Sequence, residues 1–214
     1  MISILDFHTH RHDATGALIS VNPQGFDPHC GLYYSVGFHP WLPLETLGED
    51  DFAMLEQCAR HPQVLAIGET GMDSRRGSAL EIQEAVFLRH LSLADTVHKP
   101  VVIHSVRTTQ QILTARRRAS LSHVPLAIHG MRGNEHVACT WLEEGCYLSY
   151  GAHFNPQAVE ATPSDRLLIE TDEAHETIQE VAARVANVLR VSADDVMALA
   201  TANARRLLQT EHIK

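Results

Sequence analysis

Histidine and carboxylate side chains recur in this sequence at the ends of short apolar runs. The first case is Asp6-Phe7-His8-Thr9-His10, where His8 and His10 stand two residues apart. If this segment is a strand, alternation places both imidazoles on the same side, where they could bind one metal ion. Taken alone, such a pair fits a structural role equally well.

The same arrangement follows four later apolar runs. Val64–Gly68 runs into Glu69, Val101–Ile103 into His104, Leu126–Ile128 into His129, and Leu167–Ile169 into Glu170-Thr171-Asp172. Five independent placements of this kind would be costly without a purpose, because buried polar groups need partners. We therefore interpret six side chains as candidate metal ligands: His8, His10, Glu69, His104, His129 and Asp172.

The candidate ligands combine imidazole nitrogen with carboxylate oxygen and include no thiolate. Such a set suits Zn, Mn, Ni, Fe or Mg, and the residues alone do not select among them. Six ligands exceed the three that proteins supply to a single catalytic zinc. Two divalent ions about 3.5–4 Å apart, bridged by Glu69 and a water, fit the set better. Such a pair makes hydroxide available near neutral pH and clamps both oxygens of an in-line displacement.

The elements that must position these ligands alternate along the chain. Strands are predicted at Ile2–Phe7, Ala17–Val21, Leu32–Gly37, Val64–Gly68, Val101–His104, Leu126–His129, Tyr147–Tyr150 and Leu167–Glu170. Helices are predicted at Asp50–Arg60, Ala79–His98, Gln110–Ala119, Glu135–Glu143, Gln179–Leu189, Ala193–Ala200 and Asn203–Leu208. This alternation predicts an α/β fold, a TIM-like (β/α)8 barrel formed by residues 1–214 as a single domain. The carboxyl ends of barrel strands converge on one face, which would gather the ligands.

The barrel is expected to be compact and distorted near its start. The chain has 214 residues, close to the lower limit of about 200 for this fold. Residues 8–16 and 22–31 are short and rich in Gly, Pro and His, whereas a helical crossover between parallel strands needs at least about 10–12 residues. The first two connections are therefore predicted to be shortened loops.

Composition limits the class of protein. The formal net charge is −9 and 44% of the residues are hydrophobic. An acidic chain is not a bulk electrostatic binder of nucleic acid, and a chain this apolar is not disordered. No apolar run reaches the ~18 residues of a spanning helix, and the start lacks the features of a signal peptide. The four cysteines form no C-x-x-C pair. These points favour a cytoplasmic protein that does not bind membranes.

The order and spacing of the motifs resemble those of the TatD-related metal-dependent hydrolases, the TatD-like deoxyribonucleases of the amidohydrolase superfamily. Besides the strand-end residues above, the matching segments are Gly37-Phe38-His39-Pro40, Ala66–Asp73, Gln83 with Phe87 and Leu91, Pro100–Ser105, and Asn203 with Arg206-Leu207-Leu208. No single motif is specific, but their combination along the chain is.

The resemblance implies a barrel that holds one to three divalent ions and hydrolyses phosphodiester bonds, as a deoxyribonuclease of the 3′–5′ exonuclease type. Carried over by position, His8, His10, Glu69 and Asp172 would bind the first metal, and Glu69, His104 and His129 the second. Asp172 would also accept the proton of the attacking water. Glu69 and Asp172 are accordingly the predicted catalytic residues.

Four further residues are predicted to contact substrate. Arg107 matches a family arginine that contacts phosphate. Arg132 belongs to Gly130-Met131-Arg132-Gly133, which replaces the Cys-Phe-Ser-Gly that usually follows the histidine in the family. His39 and His153 follow the third and seventh strands and would line the same rim.

Other polar side chains receive structural predictions. Arg116–Arg118 fall on one helix, and seven histidines have no placement that converges on the strand ends: His12, His61, His90, His98, His123, His136 and His212. Both sets are predicted to lie on the surface. Asp6 is predicted to be an acid that supports the ligands or the fold rather than a ligand itself.

The residues leave other functions open. The expected substrate is a nucleic-acid end or a small phosphodiester. As an alternative, the same activated water could attack a small amide, a lactone or a phosphorylated metabolite. A non-catalytic metal-binding protein is a third possibility, against which the complete ligand set argues. The oligomeric state is not indicated.

Overall fold

The computed structural model describes residues 3–208. Eight parallel strands follow one another in chain order around a closed barrel. The strands are β1 (Asp6–Thr9), β2 (Ala17–Val21), β3 (Tyr33–Val36), β4 (Val64–Asp73), β5 (Val101–Val106), β6 (Leu126–Ile128), β7 (Tyr147–Tyr150) and β8 (Leu167–Ile169). The helices are α1 (Glu49–Ala59), α2 (Leu80–Val97), α3 (Thr109–Arg118), α4 (Glu135–Glu143), α5 (Pro156–Ala161), α6 (Ile178–Leu189) and α7 (Ala193–Leu208). The predicted fold class is confirmed.

The described chain separates into two compact units. Unit 1 contains residues 3–19 and 127–208, and unit 2 contains residues 20–126. In unit 1, β1 pairs with β8 through Asp6 and Ile169, and β7 pairs with β8. In unit 2, β4 pairs with β3 on one side and with β5 on the other.

The strands are buried almost throughout because helices and neighbouring strands cover both faces. In unit 2, α2 packs against β4 and buries Phe87, Leu91 and Ala94, which recur at helical spacing. In unit 1, α7 packs against β8 and buries Ala200 and Leu207. These contacts fix the strands whose ends carry the candidate ligands.

The connections after β1 and β2 contain no α-helix within the described residues. Residues 10–16 are a loop, and only the short 3-10 turn Pro23–Gly25 interrupts the chain between β2 and β3. The prediction of shortened first connections is confirmed.

Several element boundaries differ from prediction. The two predicted final helices form one helix, α7, since no Gly or Pro separates them. The short helix α5 was not predicted, although Asn155 caps it and Pro156 begins it. Strand β4 continues to Asp73 because its second half pairs with β5. Ile2, the start of the first predicted strand, lies outside the described residues.

Two surface predictions are wrong. His90 is fully buried: Phe38 N donates to its Nε2 over 2.9 Å, and its Nδ1 lies 2.8 Å from Val86 O. Arg116 is also buried, and its guanidinium donates to main-chain carbonyls after α3, including Val124 O at 2.7 Å. Both side chains are buried because backbone groups satisfy their nitrogens. His212 lies outside the described residues.

No helix within residues 3–208 combines the length and apolar character needed to cross a membrane.

Candidate functional site

Unit 1 gathers the candidate ligands of β1 and the chain after β8. The imidazole rings of His8 and His10 lie 5.1 Å apart, as alternation along one strand requires. Asp172 Oδ1 lies 3.8 Å from His8 Nε2 and 3.6 Å from His10 Nε2. One ligand atom from each of these three residues lies within 4.8 Å of the other two. The predicted grouping of His8, His10 and Asp172 is therefore present.

The backbone of Asp172 has an unusual conformation and is tied to β1. Its φ is 53°, in the left-handed region that non-glycine residues rarely adopt. Its N–H donates to His8 O over 2.8 Å, and its carbonyl accepts from His10 N at 3.4 Å. These bonds flank Thr9, which forms an isolated parallel bridge with Asp172. The carboxylate position is thus set by main-chain contacts.

Asp6 fixes the same segment through Thr171. Its carboxylate accepts from Thr171 N at 2.9 Å and from Thr171 Oγ1 at 2.6 Å. Burial raises the pKa of Asp6 to about 6, although both Thr171 bonds act to lower it. Asp6 therefore positions the residue that precedes Asp172, in agreement with its predicted structural role.

His129 and Glu170 form a second contact in unit 1. The His129 ring lies 4.2 Å from the His8 ring, and its Nδ1 lies 3.4 Å from Glu170 Oε1. Gly130 N donates to that same carboxylate oxygen over 2.6 Å. Glu170 Oε2 is buried without a hydrogen-bond partner within residues 3–208. Glu170 was not predicted as a site residue, although it directly follows a strand in the sequence.

Unit 2 gathers Glu69 and His104 from neighbouring strands. The β4–β5 register sets Gly71 opposite His104, and His104 Nδ1 lies 2.8 Å from Glu69 Oε1. The Glu69 carboxylate is also 3.0 Å from His39 Nε2. Glu69 and His104 are both buried, so these polar contacts lie in a medium where they are strong. Ligand atoms of Glu69, His104 and His39 lie within 4.8 Å of one another.

His39 acts as a hydrogen-bond donor in this group. Its Nδ1 accepts the main-chain N–H of Trp41 over 3.0 Å. A neutral imidazole has one donor and one acceptor nitrogen, so the proton resides on Nε2 and points to Glu69. A metal would need that nitrogen's lone pair. His39 therefore does not fit as a metal ligand, and its contact with substrate stays a prediction.

Asp73 joins the same group from the end of β4. Its Oδ2 accepts from Trp41 Nε1 at 2.7 Å and lies 3.4 Å from His104 Nε2, and its Oδ1 accepts from Arg75 N at 2.7 Å. Burial acts to raise the pKa of Asp73, but hydrogen bonds from Trp41, Arg75 and His104 outweigh it and lower the pKa below its usual value. A carboxylate beside a ligating histidine orients the ring and increases its basicity. The sequence analysis missed Asp73, although it closes the Gly71-Met72-Asp73 motif.

Glycine makes the close approach of β4 and β5 possible. Gly71 has φ 141°, and a Cβ there would lie 2.1 Å from His104 O. Any side chain at this position would push His104 away. The glycine that follows Glu69-Thr70 is therefore required for the position of the histidine.

The predicted substrate contacts occupy loops after strands. Arg107 is exposed directly after β5 and has φ 57°. Arg132 and His153 are exposed in the connections that follow β6 and β7. These side chains are accessible, and their contact with substrate remains a prediction.

The donor set fits divalent ions. Within unit 1, His129, Glu170 and Asp172 form a further group whose ligand atoms lie within 4.8 Å. Nitrogen and carboxylate oxygen together suit Zn, Mn or Ni, and Mg where the carboxylates dominate. The buried, unpartnered Glu170 Oε2 is the kind of atom that a cation or an ordered water satisfies.

Comparison with known proteins identifies the family. The model of the family described as TatD related DNase matches residues 28–209. The uncharacterized metal-dependent hydrolase YabD of Bacillus subtilis is 29% identical over 199 residues, which are 83% of this chain and 78% of that protein. A second uncharacterized metal-dependent hydrolase, from Haemophilus influenzae, is 32% identical over 155 residues, which are 66% of this chain and 58% of that protein.

Solved structures show the same fold. The crystal structure of the TatD homologue YJJV from Escherichia coli matches with a TM-score of 0.82 and 23% identity, over 98% of this chain and 100% of that one. A TatD family hydrolase from Entamoeba histolytica matches with a TM-score of 0.77 and 14% identity, over 97% of this chain and 98% of that one. Because the family match extends from residue 28 to residue 209, the chain belongs to the TatD-related DNase family, whose curated relatives are metal-dependent hydrolases.

Proposed function

We propose that this protein is a two-metal phosphodiesterase that removes nucleotides from the 3′ end of DNA. The observation that carries the proposal is the grouping of His8, His10 and Asp172 in a chain of this family. Their ligand atoms lie close enough together to bind one cation. The Asp172 carboxylate is partly exposed, so it could also contact substrate.

The proposal assigns the six predicted ligands to two divalent ions. His8, His10 and Asp172 would hold the first, His104 and His129 the second, and Glu69 both. Divalent ions held there would withdraw charge from the phosphoryl group and lower the pKa of a bound water. Reloading with different metals, described below, would identify the two ions.

The protein's own side chains would then handle the proton and the substrate. The Asp172 side chain is 25% exposed, and its carboxylate could accept the proton of the attacking water. His39 directs its Nε2–H at Glu69 and would orient that carboxylate, while its ring would line the rim beside the substrate. Arg107, exposed after β5, would contact a phosphate through its guanidinium.

A second candidate substrate is a small phosphodiester. The acidic net charge of −9 disfavours tight binding of long DNA. The absence of helices from the first two connections, which lie entirely within the described residues, also leaves less surface for a long strand. The same chemistry would apply to both substrates.

The test is hydrolysis of single-stranded DNA by chelated protein reloaded with Mg, Mn, Zn or Ni. A strand labelled at its 5′ end should shorten stepwise, one nucleotide at a time, if cleavage proceeds from the 3′ end. A bis-aryl phosphodiester, an amide and a lactone are assayed in parallel. Glu69→Gln should lower turnover by about 100-fold or more, since it removes a charged ligand.

Glu160→Gln is the matched control, because it removes the same charge from the exposed surface of α5. Cleavage of the small diester alone would show that the substrate is a small molecule and would retain the two-metal mechanism. Turnover of an amide or lactone alone would replace the proposal with a carbonyl hydrolase. Metal binding without turnover of any substrate would contradict an enzymatic function.

A further inference from the structure

Unit 1 carries an open pocket lined by three basic side chains. Arg132 lies in the connection after β6, His153 and Phe154 lie in the connection after β7, and Arg184 lies on α6. The chain as a whole is acidic, with a formal net charge of −9. Two of these side chains are arginines, and their positive charge can attract an anion locally on a chain that is acidic overall.

Arg184 keeps donors available for a ligand. Both of its contacts with the Glu176 carboxylate, at 2.9 and 3.0 Å, are made by one nitrogen, Nη1. Its guanidinium also lies 5.4 Å from the centre of the Phe154 ring. The ion pair and the ring hold the side chain in place, while Nη2 and Nε remain to bind an anion within the described part of the chain.

Arg132 projects from a loop that is fixed at both ends. On one side Met131 N donates to Ser149 O over 2.9 Å, and on the other Asn134 Oδ1 accepts Val137 N at 3.1 Å. Gly133 packs so closely that a Cβ there would lie 2.8 Å from Val137 Cγ1. The loop therefore holds the main chain of Arg132 at a defined place, three residues after His129.

We propose that this pocket is a phosphate subsite, in which Arg132 and Arg184 bind a phosphate group of the substrate other than the one cleaved. Arginine supplies a planar fork of donors that matches the oxygens of a phosphate, and His153 adds a further donor. The substrate class is then a phosphodiester that carries a second phosphate. The identity of the substrate rests on the proposed function, whereas binding of phosphate in the pocket does not.

The first experiment titrates inorganic phosphate into chelated protein by calorimetry. Wild type should bind phosphate saturably, and Arg132→Gln and Arg184→Gln should each weaken binding about tenfold or more. Arg118→Gln is the matched control, because it removes the same charge from an exposed arginine of α3 in unit 2. No binding by wild type, or equal binding by all four proteins, would overturn the subsite.

The second experiment compares thymidine dinucleotides with a 5′-phosphate and with a 5′-hydroxyl, using metal-loaded protein. Wild type and Arg118→Gln should show a KM about tenfold lower for the phosphorylated form, and Arg132→Gln should lose that preference. Phosphate binding that depends on Arg132, without any diesterase activity, would retain the subsite and reject the proposed function. Diesterase activity without phosphate binding in the pocket would reject the subsite and retain the proposed function.

Discussion

The main-chain N–H of Asp172 donates to the main-chain oxygen of His8 over 2.8 Å, which joins a residue near the start of the chain to one that follows the last strand. The return bond from His10 N to Asp172 O is 3.4 Å long. Three candidate ligands are thus spaced by backbone hydrogen bonds, whose geometry varies less than that of flexible side chains. Such a site is formed before any ion binds, which lowers the cost of ordering its ligands.

Thr171→Val should weaken this arrangement without removing a ligand. The valine has a similar shape but loses the bond to Asp6 Oδ2 and leaves a buried carboxylate oxygen without that donor. We expect a loss of about 1–3 kcal/mol of unfolding free energy and metal binding about tenfold weaker. Urea unfolding and metal titration measure the two effects.

Thr96→Val is the control for this substitution, since Thr96 is exposed on α2 and, within residues 3–208, its hydroxyl bonds only to Ser92 O of its own helix. It should change neither quantity by more than about 0.5 kcal/mol. Equal effects of the two variants would show that Asp6 and Thr171 do not position the ligands.

Asp73→Asn should weaken metal binding by the unit 2 ligands. The carboxylate lies 3.4 Å from His104 Nε2 and can orient that ring through a charge-assisted contact, which the neutral amide lacks. Metal affinity should fall by about 10–100-fold. Competition against a chelating dye measures it, with Asp13→Asn in an exposed loop as the charge-matched control. An unchanged metal affinity would mean that Asp73 hydrogen-bonds to Trp41 without supporting His104 as a ligand.

The candidate ligands were predictable because each stands beside a strong local signal. His104 and His129 directly follow continuous apolar runs, and polar side chains at the carboxyl ends of parallel barrel strands are typical of a functional site. The resemblance to a family added their roles. The hydrophobic pattern therefore predicted where the strands end. The lengths of the segments between strands predicted the shortened connections after β1 and β2.

Other features of the site depend on contacts distant in the sequence. The burial of His90 requires the main-chain N–H of Phe38, 52 residues away, to satisfy its ring. The tautomer of His39 is set by the turn to Trp41, and the position of Asp172 by its left-handed backbone. None of these follows from periodicity, because tertiary partners decide whether a polar side chain is buried.

His90 should make stability fall in acid. Burial lowers the pKa of His90 from its ordinary 6.5 to about 4, since a charged ring would lose water there. Between these values the unfolded chain binds a proton that the folded chain does not, so stability is present above pH 6.5 and is lost as the pH falls towards 4. The expected contribution is on the order of 3 kcal/mol.

His90→Gln tests this, because glutamine can replace both hydrogen bonds and does not titrate. Unfolding free energies are compared at pH 7 and pH 4.5, and the variant should lose less stability than wild type. His123→Gln, which removes an exposed histidine, should follow wild type. If all three proteins lose the same stability, His90 does not titrate as a buried neutral group.

Gly71→Ala should disrupt the β4–β5 contact that positions His104. A Cβ at Gly71 would meet His104 O at 2.1 Å, whereas a Cβ at Gly31, which also has a positive φ, would meet nothing within 4 Å. Gly31→Ala should therefore cost only the conformational strain, about 1–2 kcal/mol. Gly71→Ala should cost at least about 3 kcal/mol and should also weaken metal binding, because His104 must move. Urea unfolding and metal titration of both variants separate backbone strain from the clash with His104. Equal losses of unfolding free energy and an unchanged metal affinity would mean that β4 and β5 can move apart without displacing His104.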